Sequence, residues 1–174
     1  MIGDIEAQLQ RSGQARNTVF VFSSDNGLHM GEHRFRPGKL TAFDTDVNVP
    51  LVITGPRVRH AVSRAAVQNI DLAPTFEAIA GVRPPNRVDG RSIVPLLTQS
   101  PAVSWRSAAL IEHRGLDFYT NDPDFQTASA GDPPTYQAIR TARFTYLRYH
   151  DGDPDDYDRP KDPVQPNNTY RPHS

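Results

Sequence analysis

The chain has 174 residues, of which 37% are hydrophobic and 22% charged, and it contains no cysteine. The formal charge of −1 gives no broad basic surface for nucleic acid, and zero cysteine excludes disulfides, thiolate metal sites and a cysteine nucleophile. No apolar run approaches the roughly 20 residues of a membrane span. No signal peptide opens the sequence, so the chain as written would stay in the cytoplasm, and its native compartment is left open.

The first part of the chain predicts alternating helices and strands of an α/β domain. A β-branched and aromatic run over 18–23 indicates a strand buried on both faces, as in parallel sheets. A helix over 71–80 is predicted with Asp71 as its N-cap and Gly81 as its stop. The other predicted elements are a helix over 2–11, a strand over 49–54, a turn at 84–86 and a short helical turn over 92–97.

After Trp105 the predicted elements change from alternating helices and strands to strands separated by polar, turn-rich segments. Strands are predicted over 107–112, 136–141 and 144–149, and the last two are close enough in sequence to form a hairpin. Residues 151–174 contain five prolines and six aspartates but few bulky apolar side chains, which predicts a poorly ordered tail. The sequence therefore predicts three parts: residues 1–105 as an α/β portion, residues 106–150 as a small antiparallel subdomain, and the tail.

Polar residues follow the first predicted strand directly. Asp25 and Asn26 stand where that strand ends, and in open α/β sheets ligands bind at the carboxyl ends of strands. A carboxylate and a carboxamide offer hard oxygen ligands suited to Ca²⁺ or Mg²⁺, and Gly27 allows the backbone to turn tightly. The tripeptide is also a common turn sequence, so both interpretations stay open.

Three further residues of the loop over 28–46 are candidates for chemistry. His29 and His33 have the spacing of a zinc pair on a helix, but Gly31 between them disfavours a helix. A histidine that donates to an anionic substrate and a merely exposed histidine are the alternatives. Lys39, after a proline and a glycine, is either a surface lysine or a partner for a sulfate or phosphate group.

Two aspartates close this loop. Asp44 and Asp46 are expected to pair with Arg34 or Arg36 at the surface, where ion pairs contribute little stability.

The run SDNGLHMGEHRFRPGKLTAFDTDVNVP, from Ser24 to Pro50, resembles the sulfatase family of the alkaline-phosphatase-like superfamily. The resemblance is collinear and extends over residues 1–150. The version of this motif with a histidine two residues after Gly27 resembles the branch of the family that acts on sulfated sugars, including glucosamine-6-sulfatases. The matching motifs continue in NIDLAPTF over 69–76, Gly81-Val82 with Pro84, DGRS over 89–92, PLL over 95–97, and YQAIRTARFTYLRY over 136–149.

The resemblance implies a fold and a set of site residues. The fold is α/β, a partial alkaline-phosphatase-like mixed sheet with helices, followed by a small antiparallel β subdomain. Asp25 and Asn26 match the second pair of divalent-cation ligands, with Ca²⁺ as the expected ion. Lys39 matches the lysine that contacts the sulfate, and His29 matches a histidine that faces the substrate and could protonate the leaving oxygen. Asp44 is expected to be structural.

One motif of the family has no counterpart in this sequence. The family's nucleophile is a formylglycine made from Cys or Ser in a C/S-x-P-x-R motif, and neither that motif nor the first pair of aspartate ligands occurs here. We therefore expect the C-terminal portion of a sulfatase, inactive alone, whose partners are a sulfate ester such as a sulfated sugar and a missing N-terminal sulfatase segment. The alternatives are a phosphonate or phosphodiester hydrolase of the same superfamily, a non-catalytic remnant or complementing subunit, and a generic Ca²⁺-binding module. Alone, the chain is expected to associate or to be poorly soluble.

Overall fold

The computed structural model describes residues 1–83, 87–98, 103–115, 120–121, 125–152 and 154–171. Its contacts divide the chain into two compact units, and each contains segments that are distant in sequence. The first unit is Met1–Ser24 with Pro50–Trp105, and the second is Asp25–Val49 with Arg106–Ser174. Residues 25–49 lie with the later strands in the second unit, whereas the sequence predicts them as part of the α/β portion over 1–105.

The first unit contains a helix and a two-stranded sheet. Helix α1 spans Ile2–Arg11, as its apolar spacing predicts. Strand β1, Phe20–Ser23, pairs with β2, Leu51–Thr54, so that Phe20 lies opposite Thr54. This pairing is antiparallel, and the prediction of a parallel strand buried on both faces is wrong for this structure, since Phe22 is 42% exposed. Burial of an apolar strand depends on what packs on each face, and two strands cover little.

Helix α3, Leu72–Ala80, ends at Gly81 in the left-handed conformation, as predicted. Asp71 precedes the helix but makes no side-chain cap bond to it. Its buried carboxylate instead accepts hydrogen bonds from the Gln68 N–H at 2.9 Å and the Arg91 N–H at 2.7 Å. Asp71 therefore ties the segment after the helix to the turn before it.

A short helix completes the first unit. Helix α4 spans Val94–Thr98, close to the predicted turn over 92–97. The predicted turn at 84–86 lies outside the described residues. Among the helices of the described ranges, none has the length and apolar character needed to cross a membrane.

The second unit is built on a four-stranded antiparallel sheet in the order β3-β4-β5-β6. Strand β3 spans Ala108–His113, and β4, Tyr136–Thr141, forms the predicted hairpin with β5, Phe144–Tyr149. Inward-facing residues of these strands pack with a residue from the loop over 25–49. This core contains Ala42, Tyr136, Ala138 and Leu147, with Ile111 and Tyr149 packed against it. The fold is thus a mixed α/β arrangement with a small antiparallel sheet, as predicted.

The described residues 154–171 differ from the expected poorly ordered tail. Strand β6, Asp155–Asp158, pairs with β5, and Tyr157 in that strand is 6% exposed. Polar side chains also anchor the segment: Gln165 Oε1 accepts from the Asp44 N–H at 2.8 Å, and Asp162 Oδ2 accepts from the Asn167 N–H at 2.9 Å. One buried aromatic ring and specific hydrogen bonds replace the apolar burial that the composition lacks.

Candidate functional site

Asp25 and Asn26 begin the loop that follows β1 in the chain. The Asp25 side chain is exposed, and its Oδ1 atom accepts from the Asn26 N–H at 3.0 Å. The side-chain Nδ2 of Asn26 donates to the Gly27 carbonyl oxygen at 2.7 Å. This bond identifies which end of the side-chain amide is the nitrogen and which is the oxygen. Asp25 and Asn26 therefore supply a carboxylate and a carboxamide at consecutive positions of a short, locally hydrogen-bonded turn.

Gly27 fixes this turn against helix α2, Asp44–Val47. The Gly27 N–H donates to the Asp46 carbonyl oxygen at 2.7 Å. A Cβ atom at residue 27 would lie 1.9 Å from the Thr45 carbonyl oxygen, which is far closer than real Cβ contacts. The position therefore requires glycine because of this close backbone approach.

His29 lies in the interior of the second unit. Its backbone N–H and carbonyl oxygen exchange hydrogen bonds with Gly38, at 3.0 and 3.1 Å. The ring is 1% exposed, with Nδ1 at 2.9 Å from Asp46 Oδ1 and Nε2 at 2.9 Å from the Ala130 carbonyl oxygen. Both ring nitrogens thus contact protein acceptors, and this geometry differs from the expected role of His29 facing a substrate and protonating a leaving group.

Asp46 is the acceptor at the centre of this interior network. Its carboxylate accepts from His29 Nδ1, from the Thr41 N–H at 2.9 Å and from Thr41 Oγ1 at 2.6 Å, and it is 3% exposed. The expected surface pair with Arg34 or Arg36 is therefore wrong for Asp46. No local sequence pattern predicts this contact, because His29 is 17 residues from Asp46 and loops have no spacing rule that would pair the two residues.

Lys39 follows Gly38, and its backbone is held firmly. The Lys39 N–H donates to Gln126 Oε1 at 2.6 Å, and the lysine as a whole is half-buried. A Cβ atom at Gly38 would lie 2.3 Å from the Ala130 carbonyl oxygen and 2.9 Å from His29 Nε2. The residue before Lys39 is therefore confined between the interior histidine and the segment around Ala130.

His33 has no geometry that suggests a zinc pair with His29. It lies in a 3₁₀ turn, Glu32–Arg34, with a φ of 55°, so no continuous helix aligns the two rings. Its ring stacks on Phe43 with centroids 3.6 Å apart, and burial lowers the pKa of His33 below its usual value. Within the described ranges, no group of three or more histidine, aspartate or glutamate residues could hold a metal ion.

Asp44 is structural, but its partners differ from the predicted ones. Arg140 approaches its two carboxylate oxygens at 2.9 and 3.0 Å, and Arg159 Nη2 lies 2.8 Å from Oδ2. Burial alone would raise the pKa of Asp44, but the hydrogen bonds and charges of the two guanidinium groups outweigh it, and the pKa lies below its usual value. Arg34 and Arg36 have no part in this pair.

The oxygen donors of Asp25 and Asn26 fit a hard divalent cation such as Ca²⁺ in kind. They do not complete a site, because Ca²⁺ takes 6–8 oxygen ligands and two side chains supply only part of that number. Asp25, Asn26 and Lys39 all lie in the second compact unit of the structure.

Comparison with known proteins identifies what this arrangement resembles. The family model described as "Sulfatase" matches residues 1–82. N-acetylglucosamine-6-sulfatase of Homo sapiens is 32% identical over 133 residues, which are 75% of this chain and 24% of that protein. N-acetylglucosamine-6-O-sulfatase of Bacteroides thetaiotaomicron is 30% identical over 97% of this chain and 29% of that protein.

Two solved structures are similar to this chain over most of its length. One, described as a complex with its substrate D-glucosamine-2-N,6-O-disulfate, has a TM-score of 0.76 and 29% identity, covering 96% of this chain and 33% of that one. Phosphonate monoester hydrolase from Silicibacter pomeroyi has a TM-score of 0.74 and 33% identity, covering 91% of this chain and 32% of that one.

The matches share a common extent. The chain spans about a quarter to a third of the length of these two curated relatives and two structures. The family model, the curated relatives and the fold support the same assignment. The chain belongs to the sulfatase family, with the alkaline-phosphatase-like fold, and corresponds to the C-terminal portion of its members.

Proposed function

We propose that this chain is the part of a metal-dependent sulfuric ester hydrolase that supplies one pair of cation ligands and one sulfate contact. Asp25 and Asn26 would bind the cation, with Ca²⁺ as the proposed ion, and Lys39 would bind the sulfate group. The observation that carries the proposal is that both ends of one loop are held by the same interior residues, in a chain of the sulfatase family. That loop carries both the oxygen donors of Asp25 and Asn26 and the ammonium group of Lys39, within one unit of the fold.

Each proposed residue has a distinct physical role. When bound, the cation would supply positive charge that polarises the sulfate ester oxygens. The Lys39 ammonium offers three N–H donors on a flexible stem and would stabilise negative charge on the sulfate oxygens. Its backbone N–H bond to Gln126 fixes the start of that stem. His29 is given no role in the chemistry, since both its ring nitrogens contact acceptors of the protein itself.

The chain supplies no nucleophile of the family type, because its sequence contains no C/S-x-P-x-R motif. We therefore expect negligible hydrolysis of sulfate esters by this chain alone. A separate N-terminal sulfatase segment carrying that motif is the proposed partner. This segment would bring the nucleophile and the remaining cation ligands, and the present chain would then act as a complementing subunit or as one part of a longer enzyme.

A sulfated amino sugar is the proposed class of substrate. Two curated relatives are named as N-acetylglucosamine-6-sulfatases, and one similar structure is described as holding a disulfated glucosamine. These names describe those proteins. They support the same class here because the similarity to the Bacteroides enzyme extends over 97% of this chain.

The second candidate is a phosphonate or phosphodiester hydrolase of the same superfamily. A phosphonate monoester hydrolase matches this chain at 33% identity over 91% of its length. A lysine and a divalent cation would serve a phosphonate as well as a sulfate, since both groups are tetrahedral anions. A non-catalytic remnant is the third possibility, and the same experiment separates all three.

The test is co-expression of the full chain with the N-terminal portion of a glucosamine-6-sulfatase that carries the nucleophile motif. We expect turnover of glucosamine 6-sulfate in the mixture and none by the chain alone. Lys39→Ala should lower kcat by about 10²–10³-fold, which is the usual cost of losing one charge-stabilising group. Lys161→Ala is the matched control, because Lys161 is the other lysine, 79% exposed and paired with Asp158.

Three results would contradict the proposal. Robust turnover of an aryl sulfate by the chain alone, abolished by Lys39→Ala, would show that no partner is needed. Faster hydrolysis of a phosphonate monoester than of the sulfate would favour the second candidate. No turnover of either ester by the co-expressed, folded pair would leave the chain as a non-catalytic remnant.

A further inference from the structure

A buried histidine–carboxylate contact lies between the two ends of the candidate site. His29 and Asp46 are 1% and 3% exposed, and the Asp46 carboxylate contacts His29 Nδ1 through both of its oxygens, at 2.9 and 3.0 Å. Thr41 adds two further hydrogen bonds to the same carboxylate. Asp46 is thus a fully engaged acceptor in the interior and not part of the solvated surface of the loop.

The partners of His29 fix its protonation state. A carboxylate and a backbone carbonyl only accept hydrogen bonds, so Asp46 and Ala130 both require an N–H from the ring. A neutral imidazole has one N–H and would leave a nitrogen lone pair facing an acceptor oxygen. The geometry therefore fits a ring that carries both protons, whose positive charge is balanced by the Asp46 carboxylate.

The same two residues hold the backbone at both ends of the proposed site. The Asp46 carbonyl oxygen accepts from the Gly27 N–H, which directly follows the proposed cation ligands. The His29 backbone exchanges two hydrogen bonds with Gly38, which directly precedes Lys39. One interior pair thus connects the turn at Asn26 with the start of the Lys39 side chain.

We propose that His29 and Asp46 form a doubly protonated histidine–carboxylate positioning pair that sets the location of Lys39 relative to the turn at Asp25 and Asn26. The inference deepens the proposed function and rests on it for the roles of those residues. Both members of the pair are buried, at 1% and 3% exposure. Their effect is on where the neighbouring groups lie, through Gly27 on one side and Gly38 on the other.

The two lysines of the chain allow a direct test. Reductive ¹³C-dimethylation keeps their charge and labels Lys39, Lys161 and the N-terminal amine, and Lys161→Arg and Lys39→Arg assign the two lysine signals. We expect Asp46→Asn to shift or broaden the Lys39 signal and to leave the Lys161 signal in place. Asp44→Asn is the matched control, since Asp44 is two residues away and pairs with Arg140 and Arg159 instead of His29.

A second measurement uses the unaltered chain. The ¹⁵N spectrum of the His29 ring should show both nitrogens protonated, and His29→Gln assigns the signals. Hydrogen exchange should also show the amides of Gly27 and Gly38 at least about ten-fold less protected in Asp46→Asn than in Asp44→Asn. If Asp46→Asn does not fold, the ring spectrum of the unaltered chain still decides whether His29 carries both protons.

The proposal fails on either of two results. A single-proton His29 ring would remove the charged pair, and a Lys39 signal that responds equally to Asp44→Asn and Asp46→Asn would remove the positioning role. Both measurements are made without sulfate or metal. Titration of inorganic sulfate against the same Lys39 signal then tests the sulfate contact separately, so loss of one proposal is distinguishable from loss of the other.

Discussion

Asp44 shows how a single carboxylate connects three segments of the second unit. It lies in the loop over 25–49 and contacts Arg140 on β4 and Arg159 beyond β6, with 21% of its side chain exposed. A pair at this depth contributes more than a surface pair because less water screens it. The lowered pKa of Asp44 has the same cause, since both guanidinium groups favour the charged carboxylate.

We predict that Asp44→Asn lowers the free energy of unfolding by about 2 kcal/mol at neutral pH, between the values of exposed and fully buried pairs. Because the pKa of Asp44 is lower in the folded state, the unfolded chain takes up the proton first as pH falls. The stabilisation is therefore complete well above the unfolded value of about 3.9 and disappears as pH falls through the folded value. Urea unfolding at pH 7 and pH 3 should show the deficit shrinking.

Asp151→Asn is the control for this prediction, since Asp151 is 83% exposed and pairs only with its neighbour His150 among the described contacts. It should unfold like the unaltered chain at both pH values. A deficit for Asp44→Asn that is equal at pH 7 and pH 3 would mean that the carboxylate charge is not the source of the stabilisation.

Gly38 tests the interior packing beside Lys39. Gly38→Ala places a methyl group against the Ala130 carbonyl oxygen and the His29 ring. We predict a loss of about 1–3 kcal/mol in the free energy of unfolding, which is typical of overpacking. Gly152→Ala is the matched control, because its added Cβ would make an ordinary 3.6 Å contact with Tyr149. Equal unfolding midpoints for the two variants would contradict the tight approach at Gly38.

At the scale of elements, β6 is the clearest departure from what composition suggests. Its single aromatic residue, Tyr157, is buried and meets Phe43 edge to face, with centroids 5.8 Å apart. We predict that Tyr157→Ala costs about 3–5 kcal/mol of unfolding free energy, as for other buried large rings. Val164→Ala, in the same segment but 67% exposed, should change it little. Indistinguishable denaturation curves for the two variants would return residues 151–174 to the poorly ordered tail.

Element prediction from sequence succeeded where pattern and pairing are local. The hairpin of Tyr136–Thr141 and Phe144–Tyr149 was predicted to the residue, because its strands are joined by a two-residue turn and have typical strand composition. Helix α3 ended at Gly81 as expected, since a left-handed C-terminal residue favours glycine.

Prediction failed where the deciding partner is distant in sequence. Ala130 is 101 residues from His29, and Gln165 is 121 residues from Asp44. No local pattern marks such contacts, so the loop aspartates were assigned to nearby arginines. The resemblance to a family located the candidate residues but not the hydrogen bonds that set the ring of His29 inside the fold.

For the whole molecule, exposed apolar side chains in the first unit have a consequence for its behaviour in solution. Phe22 and Val52 on the two-stranded sheet are 42% and 52% exposed, and Ile70 and Phe76 near helix α3 are 51% and 47% exposed. Apolar surface of this kind favours association, and two strands leave backbone groups at their edges that can pair with another chain.

We predict that the purified chain associates with itself at micromolar concentration, as measured by light scattering after gel filtration. The double variant Phe22→Ser with Val52→Thr should increase the monomer fraction, because both changes remove apolar surface. Threonine at residue 52 also keeps a β-branched side chain, which suits the strand. Glu6→Ser is the control for a surface change on α1 without apolar loss, and it should leave the association unchanged. A monomer with a sharp, cooperative thermal transition would contradict the prediction, because it would mean that the described strands and helices of the first unit bury enough surface for that unit to remain independent.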